Sequence, residues 1–179
     1  MVFKFNVNRG FTLIEILVVV SIIIITTGAV VINSTSSTSD IDLFSAKNSI
    51  IVNISKAKEM ALSGVGATPG TNYGIGVWFP DTANGKYYYV YRNNETNAAY
   101  KGYDSEDIIL EKIVLPKGIK YQRNGTNTQI GVLFTPPTPH VAICTDASSC
   151  TLTEFKLDVF KEGTTNKHLI KVNKAGLIE

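Results

Sequence analysis

The chain has 179 residues, of which 44% are hydrophobic and 18% charged, and its formal net charge is +2. The chain has 17 Lys and Arg residues and 15 Asp and Glu residues. Two of the basic residues, Lys4 and Arg9, lie in the first ten positions, so the rest of the chain has 15 basic and 15 acidic residues. This neutral balance argues against nucleic-acid binding through a global basic field. The residues beyond position 40 suffice for one domain with a real core.

The most informative segment, residues 8–32, reads NRGFTLIEILVVVSIIIITTGAVVI. Its apolar run from Phe11 to Ile32 would rise about 33 Å as a helix, enough to cross a hydrocarbon core of about 30 Å. A secretory signal peptide has its small-residue cleavage site after the apolar stretch. Here Gly10 comes before the run, so cleavage between Gly10 and Phe11 would leave the membrane helix on the product.

Glu15 is the single charge within this run. A carboxylate near a bilayer centre costs about 2.5–3.5 kcal/mol on insertion scales and is by default a functional candidate. Glu15 lies one helical turn after Phe11. If the chain is cut after Gly10, Phe11 carries a new α-ammonium, and Glu15 can balance that charge or the same charge on a neighbouring subunit. The alternative is a signal anchor in which Glu15 merely lies near the lipid headgroups.

The string RGFTLIE at 9–15, followed by an apolar helix, resembles the class III signal of bacterial type IV pilins and type II secretion pseudopilins. The resemblance covers residues 9 to about 32. It implies cleavage by a prepilin peptidase between Gly10 and Phe11, N-methylation of Phe11 and an assembly role for Glu15. It also implies as partners the other pilin or pseudopilin subunits, through the N-terminal helix, and an inner-membrane assembly platform. The proline often found late in such helices is absent, and Ile32 stands where it is expected.

The leader cations predict the topology, because positive flanks stay in the cytoplasm. The C-terminal part is then extracytoplasmic, first on the bacterial inner membrane and later in a periplasmic pseudopilus or an extracellular pilus. The two cysteines, Cys144 and Cys150, fit this oxidising compartment and are predicted to form a disulfide. His140 lies near them, but two thiols and one histidine lack the paired spacings of a zinc site. No metal ligand is predicted.

The segment Asn33–Ser39 has weak helix propensity and is either a flexible joint or a partly melted stretch of one long helix. Helical signals resume at Asp40, where Ser39 and Asp42 resemble a capping box. An apolar stripe at spacings of three and four follows, and Gly64 is its predicted end. The stripe is predicted to pack on a sheet and consists of Leu43, Ala46, Ile50, Ile54, Ala57 and Ala61.

Beyond Gly70 the pattern changes to strands. The predicted strands are Tyr73–Phe79, Lys86–Arg92, Ile108–Leu115, Ile119–Arg123, Gln129–Phe134, His140–Cys144, Phe155–Phe160 and His168–Val172. Turns are predicted at 80–85, Asn124-Gly125 and Lys161-Glu162-Gly163, and an exposed loop at Asn93–Glu106.

The predicted fold class is α+β: a long N-terminal transmembrane α-helix, then an antiparallel β-sheet head packed on the continuation of the helix, as in pilins. The predicted domains are a leader (1–10), a transmembrane and filament-core helix (11–32), a linker and amphipathic helix (33–64) and a periplasmic β-rich head (65–179). The helix stripe, the turn at Leu115–Ile119 and the closing Val172–Ile178 segment resemble minor pseudopilins of the GspH/FimT type.

No catalytic motif is present in the sequence, and no catalytic residue and no cofactor are predicted. His140 and His168 lie in predicted strands and are interpreted as structural. Gly74-Ile75-Gly76 is only a fragment of a glycine motif and is interpreted as sheet backbone with close neighbours.

The strand Lys86–Arg92 places Tyr87, Tyr89 and Tyr91 on one face and Tyr88 and Val90 on the other. Aromatic rings beside cations are typical of stacking platforms for single-stranded nucleic acid or sugars. The alternative is that aromatic residues simply favour sheets and one face is core. A basic C-terminal tail for DNA contact is a further, weakly supported possibility; its residues are Lys161, Lys167, Lys171 and Lys174.

The sequence therefore predicts a filament subunit, a minor pilin or pseudopilin, rather than an enzyme. One alternative is a ligand-binding module at the tip of such a filament, for DNA uptake or adhesion. Another is a periplasmic enzyme with a single membrane anchor.

Overall fold

The computed structural model of the protein describes residues 11–64, 74–80, 85–94, 102–123, 128–136 and 140–179, the side chains of 29–39 excepted. Gly10 and the predicted Asn124-Gly125 turn lie outside the described residues, as do residues 81–84 and 95–101. The described elements are helix α1 (Leu13–Leu62) and strands β1 (Ile75–Phe79), β2 (Tyr87–Arg92), β3 (Ile108–Val114), β4 (Ile119–Gln122), β5 (Ile130–Thr135), β6 (His140–Cys144), β7 (Glu154–Lys161) and β8 (Lys167–Asn173).

All eight predicted strands are confirmed, and their ends lie within one residue of the prediction except at the start of the first, where the predicted Tyr73 lies outside the described residues. The strands form two antiparallel sheets, however, where one was predicted: a five-stranded sheet β3-β2-β1-β5-β6 and a three-stranded sheet β4-β7-β8. The chain changes sheet after β3, after β4 and after β6, and the first of these passages is the turn after β3. There Gly118 has a φ of 81° and the Ile119 N–H donates to the Pro116 carbonyl at 3.0 Å. A residue with a side chain rarely adopts that φ, which accounts for glycine at this position.

The chain divides into two units, Met1–Asp40 and Ile41–Glu179, and α1 contributes to both. The predicted capping box at Ser39 and Asp42 is wrong, because α1 begins at Leu13 and these residues are interior to the helix. Only the first N–H groups of a helix need a cap. In the first unit, the large apolar side chains from Leu13 to Ile25 are each at least 47% exposed. Over the described residues, no helix combines the length and the apolar character that a membrane crossing requires.

In the second unit, α1 packs through the predicted apolar stripe. All six residues of the stripe are at most 3% exposed, and they join one core cluster with the facing side chains of both sheets. The prediction that the stripe packs on a sheet is confirmed. Gly64 ends the helix as predicted: its φ is 66° and its N–H donates to the Ala61 carbonyl.

Phe79 at the end of β1 lies where the two sheets meet. Its ring is 5.1 Å from that of Tyr88 on β2, 5.1 Å from that of Tyr121 on β4 and 5.6 Å from that of Phe155 on β7. The Tyr121 hydroxyl lies 2.8 Å from the Tyr87 carbonyl and 3.1 Å from the Pro80 carbonyl. Aromatic packing and hydrogen bonds from β4 thus tie the smaller sheet to the larger one.

Candidate functional site

The first turn of α1 is closed by Thr12 and Glu15. The Glu15 Oε2 accepts hydrogen bonds from the Thr12 N–H and the Thr12 hydroxyl, each at 3.0 Å, and the Glu15 N–H donates to the Thr12 Oγ1 at 3.3 Å. This reciprocal pair is a capping box, which satisfies N–H groups that a helix start leaves unpaired. This second role of Glu15 was not predicted from the sequence, although the Thr-x-x-Glu spacing is its signature.

The five-stranded sheet buries side chains on both faces. In β1, β2, β5 and β6, alternate residues pack toward α1 and the smaller sheet, and residues between them form a second cluster on the opposite face. We call this second set the outer-face cluster. Its buried members are Trp78, Tyr91, Leu133, Ala142 and Cys144.

Two glycines make room for the rings of the outer-face cluster. A Cβ on Gly76 would lie 2.7 Å from the Cε1 of Tyr91 and 2.7 Å from the Val132 carbonyl oxygen. A Cβ on Gly131 would collide with the Trp78 ring. The rings therefore lie close against the sheet, and the interpretation of Gly74-Ile75-Gly76 as sheet backbone with close neighbours is confirmed.

The tyrosines of β2 divide between the two faces as predicted. Tyr88 is fully buried in the core with Val90, so the prediction that one face of this strand is core is confirmed. On the other face the ammonium of Lys112 lies 4.3 Å from the centre of the Tyr87 ring, and the Tyr89 ring stacks on Tyr103 at 5.7 Å. Part of the predicted stacking surface is thus already occupied by side chains of this chain.

The predicted disulfide between Cys144 and Cys150 is present. Asp146 shapes the loop that it closes: its Oδ1 accepts hydrogen bonds from the N–H groups of Ser148 and Ser149 at 2.8 and 2.7 Å. The bond from Ser148 is the main reason that the pKa of Asp146 lies below its usual value. The carbonyl of Ala147 in this loop accepts a hydrogen bond from the Gly102 N–H at 3.1 Å. The disulfide loop therefore holds the start of residues 102–107.

A pocket of about 480 Å³ lies at the turn between β3 and β4, with Lys86, Lys117 and Lys120 in its wall. Glu162 also lines it and forms an ion pair of 2.7 Å with Lys120, which lowers the pKa of Glu162. The pocket wall holds more cationic than anionic side chains, which favours an anionic occupant. This pocket was not predicted from the sequence, in which Lys86 stands out only as a neighbour of the tyrosines.

The C-terminal lysines are distributed along the smaller sheet. Lys167 and Lys171 lie four residues apart on β8, about 13 Å at the usual rise of a strand. Lys171 also lies close enough to Glu154 to help lower the pKa of that carboxyl, after the stronger effect of Lys156. Over the described residues no group of three His, Cys, Asp or Glu side chains forms a metal site.

The hydroxyl of Tyr91 is expected to lower the free energy of unfolding. Its hydroxyl is buried without a hydrogen-bond partner among the described residues, whereas the Tyr88 hydroxyl accepts a hydrogen bond from Asn53 Nδ2 at 2.8 Å. An unpaired buried hydroxyl costs about 1–3 kcal/mol, and a typical hydrogen bond contributes about 1 kcal/mol. We expect Tyr91→Phe to raise the free energy of unfolding by about 1 kcal/mol and the matched Tyr88→Phe to lower it by about as much. Denaturant unfolding measures both; a loss of stability in Tyr91→Phe would contradict the assignment.

Tyr91 should also make the stability of the protein depend on pH. Burial, with the nearby charges of Asp107 and Asp104, raises the pKa of Tyr91. Below the unfolded-state pKa of about 10 the phenol is neutral in both states, and above it only the unfolded chain ionises, so stability falls as pH rises. Each such tyrosine contributes a slope of about −1.4 kcal/mol per pH unit. Tyr91→Phe should remove one such contribution above pH 10.

An apolar N-terminal helix that begins in a Thr-x-x-Glu turn and leads into antiparallel sheets is consistent with a pilin-like protein. Residues 5–31 match the family model described as the prokaryotic N-terminal methylation motif. The match includes Gly10, Phe11 and Glu15 and supports the type IV pilin and pseudopilin family, as the string RGFTLIE indicated. No match to the chain is found among curated proteins or among solved structures. The likeness to the GspH/FimT type stays a prediction.

Proposed function

We propose that the protein is a structural subunit, a minor pilin or pseudopilin, of a type IV pilus or a type II secretion pseudopilus. The observation that carries the proposal is the methylation motif at residues 5–31, with Gly10 placed before the apolar run. In this proposal a prepilin peptidase cuts between Gly10 and Phe11, and Phe11 is N-methylated. The apolar start of α1 stays on the mature subunit because it follows the cleavage site.

In the proposed assembly, Glu15 pairs with the α-ammonium of Phe11 in a neighbouring subunit. A charge within an apolar run needs a compensating partner. The hydrogen bonds from Thr12 both use Oε2, so an ammonium can approach the carboxylate at Oε1. The exposed apolar side chains from Leu13 to Ile25 also need a cover. Lipid is the proposed cover before assembly by the inner-membrane platform, and the helices of neighbouring subunits are the cover after it.

The proposed location is the bacterial inner membrane, with the head outside the cytoplasm. Lys4 and Arg9 of the leader support this orientation through the positive-inside rule. The disulfide between Cys144 and Cys150 also supports it, because such bonds persist in oxidising compartments.

A ligand-binding role at a filament tip is the second candidate, and the pocket with Lys86, Lys117 and Lys120 favours it. An anion is the ligand class that such a wall attracts. A periplasmic enzyme with a single anchor is less favoured, because it gives no role to Glu15 or to the methylation motif.

Processing is the direct test. We expect the mature chain, extracted from membranes of cells with an active prepilin peptidase, to begin at methylated Phe11 and to keep its apolar helix. Intact mass and N-terminal sequencing measure this. Gly10→Glu, which places bulk and charge at the cleavage position, should keep the leader, and Asn8→Ala should be cut normally. A mature chain that begins after residue 32 would overturn the proposal.

A further inference from the structure

The segment 102–107 is anchored at two places that differ in kind. At its end, the Asp107 carboxylate accepts hydrogen bonds from the Asn94 N–H at 2.9 Å and from the Asp104 N–H at 3.0 Å. At its start, the Gly102 N–H donates to the Ala147 carbonyl at 3.1 Å, inside the loop closed by the disulfide. The Asp107 anchor holds the end of the segment to the residues that follow β2. The Gly102 anchor depends on the position of Ala147 and therefore on the loop that the disulfide closes.

The contact at Gly102 depends on the shape of that loop. A Cβ on Gly102 would collide with the Asp146 carbonyl oxygen and lie 3.1 Å from the Cβ of Cys144. Besides the disulfide, the loop is held by the Asp146 hydrogen bonds and by the bond of 2.9 Å from the Thr145 N–H to the Ser149 carbonyl. These hydrogen bonds contribute about 1 kcal/mol each, and the disulfide, which closes a loop with a sequence separation of 6, contributes about 2 kcal/mol, so its reduction removes the largest single constraint on the loop.

Tyr103 is the side chain that this anchoring places. Its ring lies 5.4 Å from the Tyr91 ring, 5.7 Å from the Tyr89 ring and 6.1 Å from the Trp78 ring. Trp78 is only 3% exposed, and both Tyr103 and Cys150 pack against the outer-face cluster. Displacement of the segment would therefore uncover Trp78.

We propose that the disulfide between Cys144 and Cys150 is a redox-sensitive latch that keeps residues 102–107 closed over the outer-face cluster. The latch operates whatever assembly the subunit joins, so it does not rest on the proposed filament role. A dithiol reductant opens it: the thiolate attacks Cys150 Sγ, since Cys144 is fully buried and Cys150 only partly. The sulfur–sulfur bond breaks, and Cys144 leaves as a thiolate that takes a proton. The first sulfur of the reductant is now bonded to Cys150 as a mixed disulfide. The second thiol of the reductant loses its proton and attacks that first sulfur, Cys150 leaves as a thiolate that takes a proton, and the reductant ends as a cyclic disulfide, so two electrons pass from reductant to protein.

Trp78 is the single tryptophan of the chain and reports the opening directly. The test uses the full chain in detergent, with dithiothreitol as reductant and free thiols counted to show complete reduction. We expect the Trp78 emission to shift to the red and its quenching by acrylamide to rise severalfold, while the far-UV circular dichroism stays unchanged. Reoxidation should reverse both changes.

Two variants separate the latch from a general loosening of the head. Cys144→Ala with Cys150→Ala should show the reduced-state emission without reductant. Tyr103→Ala should expose Trp78 with the disulfide intact, and its matched control Tyr87→Ala should not, because no contact joins the Tyr87 ring to Trp78 in the described residues.

Two results would overturn the proposal. One is an unchanged Trp78 signal in protein with two free thiols. The other is loss of the circular dichroism signal together with the change in emission, because the disulfide would then stabilise the whole head and not a local segment.

Discussion

Glu15→Val is expected to abolish incorporation into filaments while membrane insertion, leader cleavage and the folded head persist. Valine inserts more readily than a carboxylate in hydrocarbon, so insertion should not suffer. The proposed ion pair to Phe11 of a neighbouring subunit, however, cannot form. Immunoblots of sheared surface fractions against membrane fractions measure the distribution of the protein. A Glu15→Val subunit that enters filaments as well as the parent does would refute the ion pair.

The capping box gives Glu15 a second role, and two controls distinguish it from the first. Glu15→Gln keeps an acceptor for the Thr12 N–H but removes the charge, so it should fail to assemble as Glu15→Val does. Thr12→Val removes the hydroxyl from the cap but keeps the carboxylate, so it should assemble. The opposite outcome, assembly of Glu15→Gln and failure of Thr12→Val, would assign the requirement to the helix cap.

Ile54→Ala is expected to cost about 2–5 kcal/mol of the head's free energy of unfolding. Ile54 is fully buried in the core cluster between α1 and the sheets, and the truncation leaves a cavity there. The matched control is Val52→Ala, because Val52 is on the same helix but 62% exposed. Its effect should stay within about 0.5 kcal/mol, with a small gain from the better helix propensity of alanine.

Denaturant unfolding followed by circular dichroism measures both variants. Comparable losses for Ile54→Ala and Val52→Ala would mean that the helix does not pack through its predicted stripe. A loss in Ile54→Ala alone supports the head as a unit that includes α1 from Ile41 onward.

The elements of this fold were predictable because their signals are local. The stripe from Leu43 to Ala61 repeats every three or four residues, which specifies a helix and its buried face together. The capping box at Ser39 was predicted wrongly for the same reason. Its residue pattern is local, but whether a helix begins there depends on the residues before it, and α1 passes through Ser39 without a start.

The outer-face cluster could not be predicted from local sequence patterns. Tyr103 lies in a segment predicted only as an exposed loop, and its contacts with Trp78 and Tyr91 join three separate parts of the chain. The pocket likewise joins three separate places in the chain: Lys86 just before β2, Lys117 in the turn after β3, and Lys120 in β4. Sequence spacing does not reveal such contacts, since each depends on which strands pair.

By itself the sequence determined the N-terminal motif around Gly10, Phe11 and Glu15, the buried stripe of the helix, the strands and the cysteine pair. These follow from the order of residues, from periodicity and from composition, which act over a few residues. Only the tertiary structure decided the division into two sheets, the burial of the Tyr91 hydroxyl without a hydrogen-bond partner among the described residues, and the packing of Tyr103 beside Trp78. The physical reason is that each of these depends on pairings between distant segments. β4 with β7 and Gly102 with Ala147 are such pairs, and several pairings would satisfy the same local pattern.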